Sequence, residues 1–330
     1  MPDRRGIALI YEEYGNPDEV LKLQEFALPE LRDGEVLIRM DAAAIHPSDL
    51  GMIGGSYGNL RGLPAIGGRE GVGTVVELGP GVGSDWEGKQ VRLPGEGGAW
   101  TSHVVSRADV LSVVPSDIAA EQAALAAVNP PTAIRLLRDF ADLQEGDWVV
   151  QNAGNSAVGI AVIQLARARG INTASLVRRE GLVTPMKELG ADLVVLDHRD
   201  AVGSIRDATA GARVPLGLNS IGGTSVLTVA QSLSDGGTVV TFGGMTGEKV
   251  RFPTRQLIFN DIRFCGFWLD RWNRKHGRVE AEALLNEAYE AIRQGVLFTN
   301  IEEMYPLKDY RKALEHNGSG RIGKILFSNG

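Results

Sequence analysis

A strand, a glycine-rich turn and a helix recur between residues 147 and 266, and this repeat limits the fold more than any other feature of the chain. The strand candidates are short, apolar and separated by stretches with helical spacing; they are Trp148–Gln151, Thr173–Val177, Leu193–Leu196, Leu216–Asn219 and Thr238–Phe242. Parallel neighbours in a sheet need a crossover connection, which is usually a helix. We therefore predict an α/β fold with a doubly wound, Rossmann-type parallel sheet over residues 123–265.

The N-terminal part of the chain follows a different pattern. Closely spaced strand candidates such as Glu35–Met40 and Gly73–Leu78 are separated by Gly and Pro, which favours a compact, mostly β barrel over βαβ units. A late helix, Glu280–Gln294, and a closing strand, Gly323–Phe327, are expected to return to this part. We predict that residues 1–122 and 266–330 form this second domain, since 330 residues exceed what a single core usually accommodates.

Composition excludes several classes of protein. A formal net charge of -7 and a pI near 5.4 argue against a nucleic-acid partner, which would require clustered Lys and Arg. Cys265 is the single cysteine, so neither an internal disulfide nor a cysteine-based zinc cluster can form, and a reducing compartment fits. Met1–Gly15 resembles neither a signal peptide nor a transit peptide, and no apolar run is long enough to span a membrane. We expect a cytoplasmic protein without a membrane partner.

The segment Gln151–Gly159 follows a predicted strand and opens a helix predicted over Ile160–Arg169. Small residues let a backbone approach a pyrophosphate closely, while the N–H groups and dipole at a helix start attract its charge. The spacing departs from G-x-G-x-x-G, because Asn152 or Ala153 stands where the first glycine is expected. The context still predicts a dinucleotide-binding turn, with a simple strand-to-helix joint as the alternative.

Arg178 and Arg179 follow the next strand, where an acidic residue would hold the ribose hydroxyls of NAD. Two arginines instead suit the 2′-phosphate of NADPH, through charge-assisted contacts. The alternative is a solvated arginine pair. Phe242–Met245 ends a later strand, and we expect it to face the nicotinamide end of the cofactor, because ligands bind outside the carboxyl ends of parallel strands. The sequence therefore predicts NADPH as the cofactor.

Six segments taken in order resemble one protein family; they are Asn16–Leu21, His46–Asp49, Gly67–Gly73, Val128–Ala133, Gln151–Ala153 and Gly266–Trp268. The family is that of the 2-enoyl thioester reductases, zinc-independent medium-chain dehydrogenases/reductases of the mitochondrial trans-2-enoyl-CoA reductase type. The likeness runs from about Asn16 to Leu326. It implies a GroES-like barrel domain joined to a Rossmann domain, with substrate bound in a cleft between them.

The resemblance also implies a reaction. Hydride would pass from NADPH to Cβ of an α,β-unsaturated thioester, and a protein group would protonate Cα while the developing enolate oxygen is stabilised. Met52–Tyr57 matches the loop that carries the family's proton donor, so Tyr57 is the candidate donor. Asn129 would contact the cofactor or orient the donor, and Trp268 would lie beside the substrate. The structural alternatives are that Tyr57 is an aromatic residue at the rim of the protein surface, that Asn129 caps a helix, and that Trp268 fills the core.

The resemblance assigns further residues to the cofactor. The pyrophosphate would lie against the first turn of the helix and the 2′-phosphate against the arginine pair, and two later segments would line the cofactor cleft. These residues are Asn155, Ser156, Ala157, Val158, Arg178, Arg179, Phe242, Gly243, Gly244, Met245, Phe267 and Trp268. Lys324, in the final strand, matches a position near the cofactor phosphates, with a solvated strand end as the alternative. Glu180 stands where the family usually carries another Arg, which weakens the preference for NADPH.

No metal site is predicted. Zinc-bearing members of the superfamily use a Cys and a Gly-His-Glu segment for the catalytic ion, whereas this chain has His46 and Gly68-Arg69-Glu70. We interpret His46 as a hydrogen-bonded turn residue rather than a catalyst. The loop after the candidate donor, Gly58–Gly62, lacks the proline-containing form of the family, which leaves the substrate open.

Two alternatives to enoyl reduction remain. One is an NADPH:quinone oxidoreductase of the same superfamily, which needs no proton-donor tyrosine. The other is a noncatalytic NADPH-binding sensor protein. For the enoyl reductase, the resemblance implies acyl thioesters of CoA or of acyl carrier protein as substrates, and a homodimer as the assembly.

Overall fold

The computed structural model describes residues 4–198 and 200–329. The chain divides into two compact units, the first made of Met1–Ala127 with Thr299–Gly330 and the second of Val128–Phe298. The domain boundaries were predicted at residues 122 and 266, whereas the boundaries of the two units lie after Ala127 and before Thr299. The second shift is large because the helix that follows residue 266 packs Leu269, Leu284 and Ala288 against Ile134 of the second unit.

The first unit begins with β1 (Arg5–Tyr11), α1 (Pro17–Val20), β2 (Lys22–Ala27), β3 (Glu35–Ala44), α2 (Pro47–Ile53), β4 (Ala65–Ile66), β5 (Gly71–Leu78), β6 (Gln90–Arg92), β7 (His103–Arg107) and α3 (Ala120–Ala123). The second unit contains α4 (Asn129–Asp139), β8 (Trp148–Gln151), α5 (Ala157–Ala168), β9 (Asn172–Val177), α6 (Val183–Glu188), β10 (Leu193–Leu196), α7 (Ala201–Thr209), β11 (Leu216–Asn219), α8 (Ser225–Gln231), β12 (Thr238–Thr241), α9 (Thr254–Phe259), β13 (Arg263–Gly266) and α10 (Leu269–Arg293). The first unit then resumes with β14 (Ile301–Pro306), α11 (Tyr310–Gly318) and β15 (Lys324–Ser328).

The first unit is mostly β. One sheet has the order β2-β1-β4, and a larger one has the order β14-β15-β3-β5-β6, with β7 also paired to β3. The strand pairs of these two sheets are antiparallel except β14 and β15, which are parallel because α11 connects them as a crossover. Trp100 and Phe327, both fully buried, meet edge to face in the core with ring centres 5.2 Å apart.

The second unit is built on a parallel sheet with the order β10-β9-β8-β11-β12-β13. Val149 packs into an apolar cluster with residues of α4 and α5, while its neighbour Val150 packs into a cluster with residues of α7 and α8. Both faces of the sheet are therefore covered, which is why its strands are continuous apolar runs. The predicted doubly wound fold is confirmed, and the five predicted strands agree with β8–β12 to within one residue at each end.

Helix α10 begins eleven residues before the predicted Glu280, at Leu269. Gly277 interrupts it with a φ of 83°, a conformation that glycine adopts without the steric cost of a Cβ. Among the described residues, no helix combines the length and the apolar composition needed to cross a bilayer.

Candidate active site

The turn between β8 and α5 has the geometry of a dinucleotide-binding turn. Ala153 adopts a left-handed φ of 47°, so it occupies the conformation that the first glycine of the motif usually supplies. A Cβ on Gly159 would lie 2.5 Å from the Gly154 carbonyl oxygen, so no side chain fits there. Ser156 caps α5, its Oγ accepting a hydrogen bond of 3.1 Å from the Gly159 N–H. The predicted residues Asn155–Val158 lie half-buried around this helix start.

The N–H groups in the first turn of α5 have no acceptor within the helix. Together with the helix dipole they form a site for an anion, and the glycines allow that anion to approach the backbone. The chemistry of this turn therefore fits a pyrophosphate.

Buried amide side chains connect the carboxyl ends of three neighbouring strands. Asn152 Nδ2 donates to Asn219 Oδ1 at 2.8 Å, and Asn152 Oδ1 accepts from the Ser220 N–H at 2.9 Å. Asn219 Nδ2 donates in turn to Thr241 Oγ1 at 3.0 Å. These bonds hold the strand ends in fixed positions at the edge of the sheet where ligands bind. Sequence analysis did not identify Asn219 or Ser220 as site residues.

Asn129 begins α4 and is only 8% exposed. Its Nδ2 is buried without a hydrogen-bond partner among the described residues, and Ser220 Oγ at the end of β11 shares this property. A buried polar atom without a protein partner costs free energy unless a water molecule or a ligand completes the bond. The second unit thus offers an unfilled donor of the kind that a cofactor oxygen or carbonyl would satisfy.

Arg178 and Arg179 follow β9 directly and are exposed, as is Glu180 in the 3₁₀ turn that comes next. This is the position at which the sequence predicted contact with a 2′-phosphate. The two guanidinium groups are accessible to solvent and supply the donors for an anionic group. Their role stays a prediction.

The segments at the ends of β12 and β13 have mixed environments. A Cβ on Gly244 would meet no atom of the described residues within 4 Å apart from its chain neighbours, and Met245 is 54% exposed, whereas Phe242 packs against the core. Phe267 is half-buried and packs edge to face against Phe140 of α4, with ring centres 5.9 Å apart; its contact with the cofactor stays a prediction. Trp268 is half-buried, and the Arg274 guanidinium lies 4.8 Å from its ring centre.

Tyr57 lies in the first unit, in the loop that follows α2. Its backbone N–H donates to the Gly51 carbonyl oxygen at 3.1 Å, and its side chain is half-buried. The Arg69 guanidinium lies over the phenol ring, 4.9 Å from the ring centre. The loop therefore places a half-buried phenol beside a permanent positive charge.

His46 caps the start of α2 and is 3% exposed. Its Nε2 lies 2.7 Å from Glu70 Oε2, and its backbone N–H donates to Asp49 Oδ2 at 2.7 Å. The interpretation of His46 as a hydrogen-bonded turn residue is confirmed by these contacts.

Lys324 lies beside this histidine rather than at a solvated strand end. Its Nζ donates to the Ile45 carbonyl oxygen at 2.5 Å and lies 3.5 Å from His46 Nδ1. Burial, with a further contribution from the charge of Arg321, lowers the pKa of Lys324 to about 8. Contact of Lys324 with the cofactor phosphates stays a prediction. In the structure the neighbours of its amine are the Ile45 carbonyl oxygen and His46 Nδ1.

Two family models match the chain. Residues 32–116 match the alcohol dehydrogenase GroES-like domain, and residues 157–286 match the zinc-binding dehydrogenase family. The mitochondrial enoyl-acyl-carrier-protein reductase of Xenopus tropicalis is 40% identical over 316 residues, which cover 93% of this chain and 90% of that protein. This chain belongs to the enoyl-acyl-carrier-protein reductase family. The predicted family, and with it the medium-chain dehydrogenase/reductase fold, is confirmed.

Solved structures of enoyl reductases agree. Etr1p, a mitochondrial 2-enoyl thioester reductase of Candida tropicalis, has a structure in complex with NADP and crotonyl-CoA that is 27% identical to this chain, with a TM-score of 0.89 over 98% of this chain and 99% of that one. A putative NADPH:quinone reductase from Bacillus thuringiensis is also 27% identical, with a TM-score of 0.88 over the same shares of the two chains.

The donor set does not fit the zinc that the second family model implies. His46 Nε2 is occupied by Glu70, and Cys265 is an exposed residue of β13 in the other unit. In the part of the chain that the structure describes, no three His, Cys, Asp or Glu side chains are placed to hold a metal ion.

Proposed function

We propose that this enoyl reductase family member uses NADPH to reduce the C=C bond of 2-enoyl thioesters, and that Tyr57 donates the proton to Cα. The turn at Ala153–Gly159 would hold the pyrophosphate, and Arg178 with Arg179 would hold the 2′-phosphate. The buried Nδ2 of Asn129, which has no partner among the described residues, would donate to the cofactor or to the substrate carbonyl.

When bound, NADPH supplies the hydride that adds to Cβ of the enoyl thioester. Electron density then moves toward the thioester oxygen, and a donor near that oxygen stabilises the developing charge. The O–H bond of Tyr57 breaks as the new C–H bond forms at Cα. Solvent water returns a proton to the Tyr57 oxygen and completes the cycle. Trp268, in the second unit, would lie beside the acyl group.

The presence of Tyr57 favours reduction of an enoyl thioester over reduction of a quinone. Both outer oxygens of a quinone can take protons from water after hydride transfer, so that reaction does not need a positioned phenol. In this protein the phenol is half-buried, the backbone N–H of Tyr57 donates to Gly51, and the Arg69 guanidinium lies over the ring. The likeness to the putative quinone reductase from Bacillus thuringiensis supports the alternative, because it covers almost the whole chain.

A substrate panel tests the proposal. The kcat/KM values for crotonyl-CoA, a longer 2-enoyl-CoA, the matching acyl carrier protein thioester and a benzoquinone are measured with NADPH and with NADH. We expect the thioesters to exceed the quinone and NADPH to exceed NADH. Higher efficiency with the quinone would instead support the quinone oxidoreductase, and NADPH binding without oxidation of it by any substrate would support a sensor.

We also infer that two copies of the chain form a homodimer through β13. This strand is at the edge of the parallel sheet, and an unpaired edge is a template for pairing with another chain. Phe252, Ile258 and Phe259, from the segment just before β13, are 57%, 66% and 69% exposed. Such apolar exposure is typical of an interface.

The dimer is tested by replacing Ile258 and Phe259 with Glu and measuring sedimentation velocity. We expect the parent protein to sediment as a dimer and the variant as a monomer. Val279, which is 80% exposed on α10, provides the matched control, and Val279→Glu should remain dimeric. A parent protein that sediments as a monomer at micromolar concentration would contradict the inference.

A further inference from the structure

The side chain of Arg69 lies against the ring of the candidate proton donor, Tyr57. Its guanidinium carbon lies 4.9 Å from the centre of the Tyr57 ring. A cation over the face of an aromatic ring is attracted by the ring's negative quadrupole, and the attraction strengthens when water is excluded. Both residues are half-buried, so this contact is partly shielded from solvent.

The segment that carries Arg69 is fixed by its neighbour. Glu70 is 2% exposed; its Oε2 lies 2.7 Å from His46 Nε2, and its Oε1 accepts from the Ala127 N–H at 2.5 Å. Since His46 caps α2, these bonds join the Arg69 segment to the helix that leads into the Tyr57 loop. The position of the arginine backbone relative to that helix is therefore set by buried hydrogen bonds.

The loop after Tyr57 is joined to the same segment from the other side. Arg61 donates through Nη1 to the Ile66 carbonyl oxygen at 2.5 Å and through Nη2 to the Gly68 carbonyl oxygen at 2.8 Å. Gly68 directly precedes Arg69. Contacts on both sides therefore fix the backbone of the segment that carries Arg69.

We propose that Arg69 is a positioning residue that holds the Tyr57 ring and stabilises the negative charge on the Tyr57 oxygen after proton transfer. The inference rests on the proposed function. As the O–H bond of Tyr57 breaks and the C–H bond forms at Cα, the charge of the enolate passes to the phenolate. A cation–quadrupole contact then becomes an attraction between two full charges. Because this interaction is stronger after transfer than before, it lowers the barrier rather than merely tightening substrate binding.

The test uses Arg69→Gln, which removes the charge but keeps a long polar side chain, and Arg69→Lys, which keeps the charge. With NADPH and crotonyl-CoA we expect Arg69→Gln to lower kcat about tenfold while KM changes less than about twofold. The solvent deuterium isotope effect on kcat should rise, because proton transfer becomes slower. Arg69→Lys should recover most of the lost rate. Lys89 lies 4.8 Å from the Trp86 ring centre in the same unit, so Lys89→Gln is the matched control and should keep full kcat.

A double-mutant cycle with Tyr57→Phe separates this inference from the proposed function. If Arg69 acts through Tyr57, adding Arg69→Gln to Tyr57→Phe should change kcat by less than about twofold. A tenfold loss in both backgrounds would overturn the positioning role while leaving Tyr57 as the donor. Failure of Arg69→Lys to recover any rate would overturn the role of the charge. Undiminished crotonyl-CoA reduction by Tyr57→Phe alone would contradict the proposed donor, and the inference with it.

Discussion

A Cβ atom on Gly154 would lie 2.6 Å from the Cβ of Ser175, too close for any side chain at residue 154. Gly154 belongs to the turn that follows β8, and Ser175 is a fully buried residue of β9. The backbone of the turn therefore rests directly on the neighbouring strand. This contact sets the position from which α5 begins, and with it the geometry of the proposed pyrophosphate site.

Gly154→Ala should test how tightly that turn is packed. The added methyl group has to displace either Ser175 or the turn, at a cost of about 1 to 3 kcal/mol in the free energy of unfolding. NADPH affinity should fall as well, because the helix start moves. Urea unfolding and fluorescence titration measure the two effects. Beyond its own helix backbone and chain neighbours, Gly203 in α7 has no atom of the described residues within 4 Å of its Cβ position, so Gly203→Ala should leave both unchanged or raise stability.

Asn129→Leu should separate stability from function. The variant removes a buried amide donor that has no partner among the described residues, so the free energy of unfolding without cofactor should stay equal or rise by about 1 kcal/mol. The kcat/KM for crotonyl-CoA should fall by about tenfold or more, because the donor is needed once ligand is bound. Loss of stability without loss of activity would show that the amide has a structural role instead.

The arginine pair should control the choice between cofactors. Arg178→Ala and Arg179→Ala should each weaken NADPH binding by about 10- to 100-fold and leave NADH binding unchanged, since only NADPH carries the 2′-phosphate. Arg206, an exposed arginine of α7, provides the control for a general loss of positive charge. If the two substitutions weakened the binding of NADPH and of NADH equally, the arginine pair would not be the binding site of the 2′-phosphate.

Lys324 should give the protein a measurable pH dependence of stability. Its pKa is lowered by burial from the ordinary 10.5 to about 8. Between those values the unfolded chain binds more protons than the folded one, so the free energy of unfolding rises with pH across this window. Below it, the cost of burying the charged amine is fully present.

Lys324→Met removes that cost. The stability of the parent protein relative to the variant should therefore increase from pH 7 to pH 10.5, by at most about 3 kcal/mol. Urea unfolding of both proteins at several pH values measures the difference. Identical pH profiles would show that Lys324 keeps its charge at no cost.

The parallel sheet could be predicted closely because burial on both faces makes its strands continuous apolar runs. The runs Trp148–Gln151 and Leu216–Asn219, each bounded by turn residues, match β8 and β11 at both ends. The C-terminal boundary of the second unit, after Phe298, could not be predicted in this way. The pattern of α10 shows an apolar face but does not specify that this face packs against Ile134 of α4.

The site was only partly accessible to sequence reasoning. Ser156 and Gly159 lie where the turn pattern places them, because a strand–turn–helix joint is local. The bond between Asn152 and Asn219 joins residues 67 positions apart and depends on the strand order. Amides at the carboxyl ends of apolar strands were the available signal for it. The stack of Arg69 on Tyr57 has no such pattern, because it depends on how two loops pack.

The central claim is that Tyr57 donates the proton in enoyl reduction, and Tyr57→Phe tests it most directly. The substitution removes one hydroxyl oxygen and keeps the ring under Arg69, so NADPH binding and thermal stability should match those of the parent protein. We expect kcat for crotonyl-CoA to fall by about 10²- to 10⁴-fold, the usual contribution of a positioned acid, while any reduction of benzoquinone continues at the parent rate. An undiminished rate with crotonyl-CoA would contradict the account.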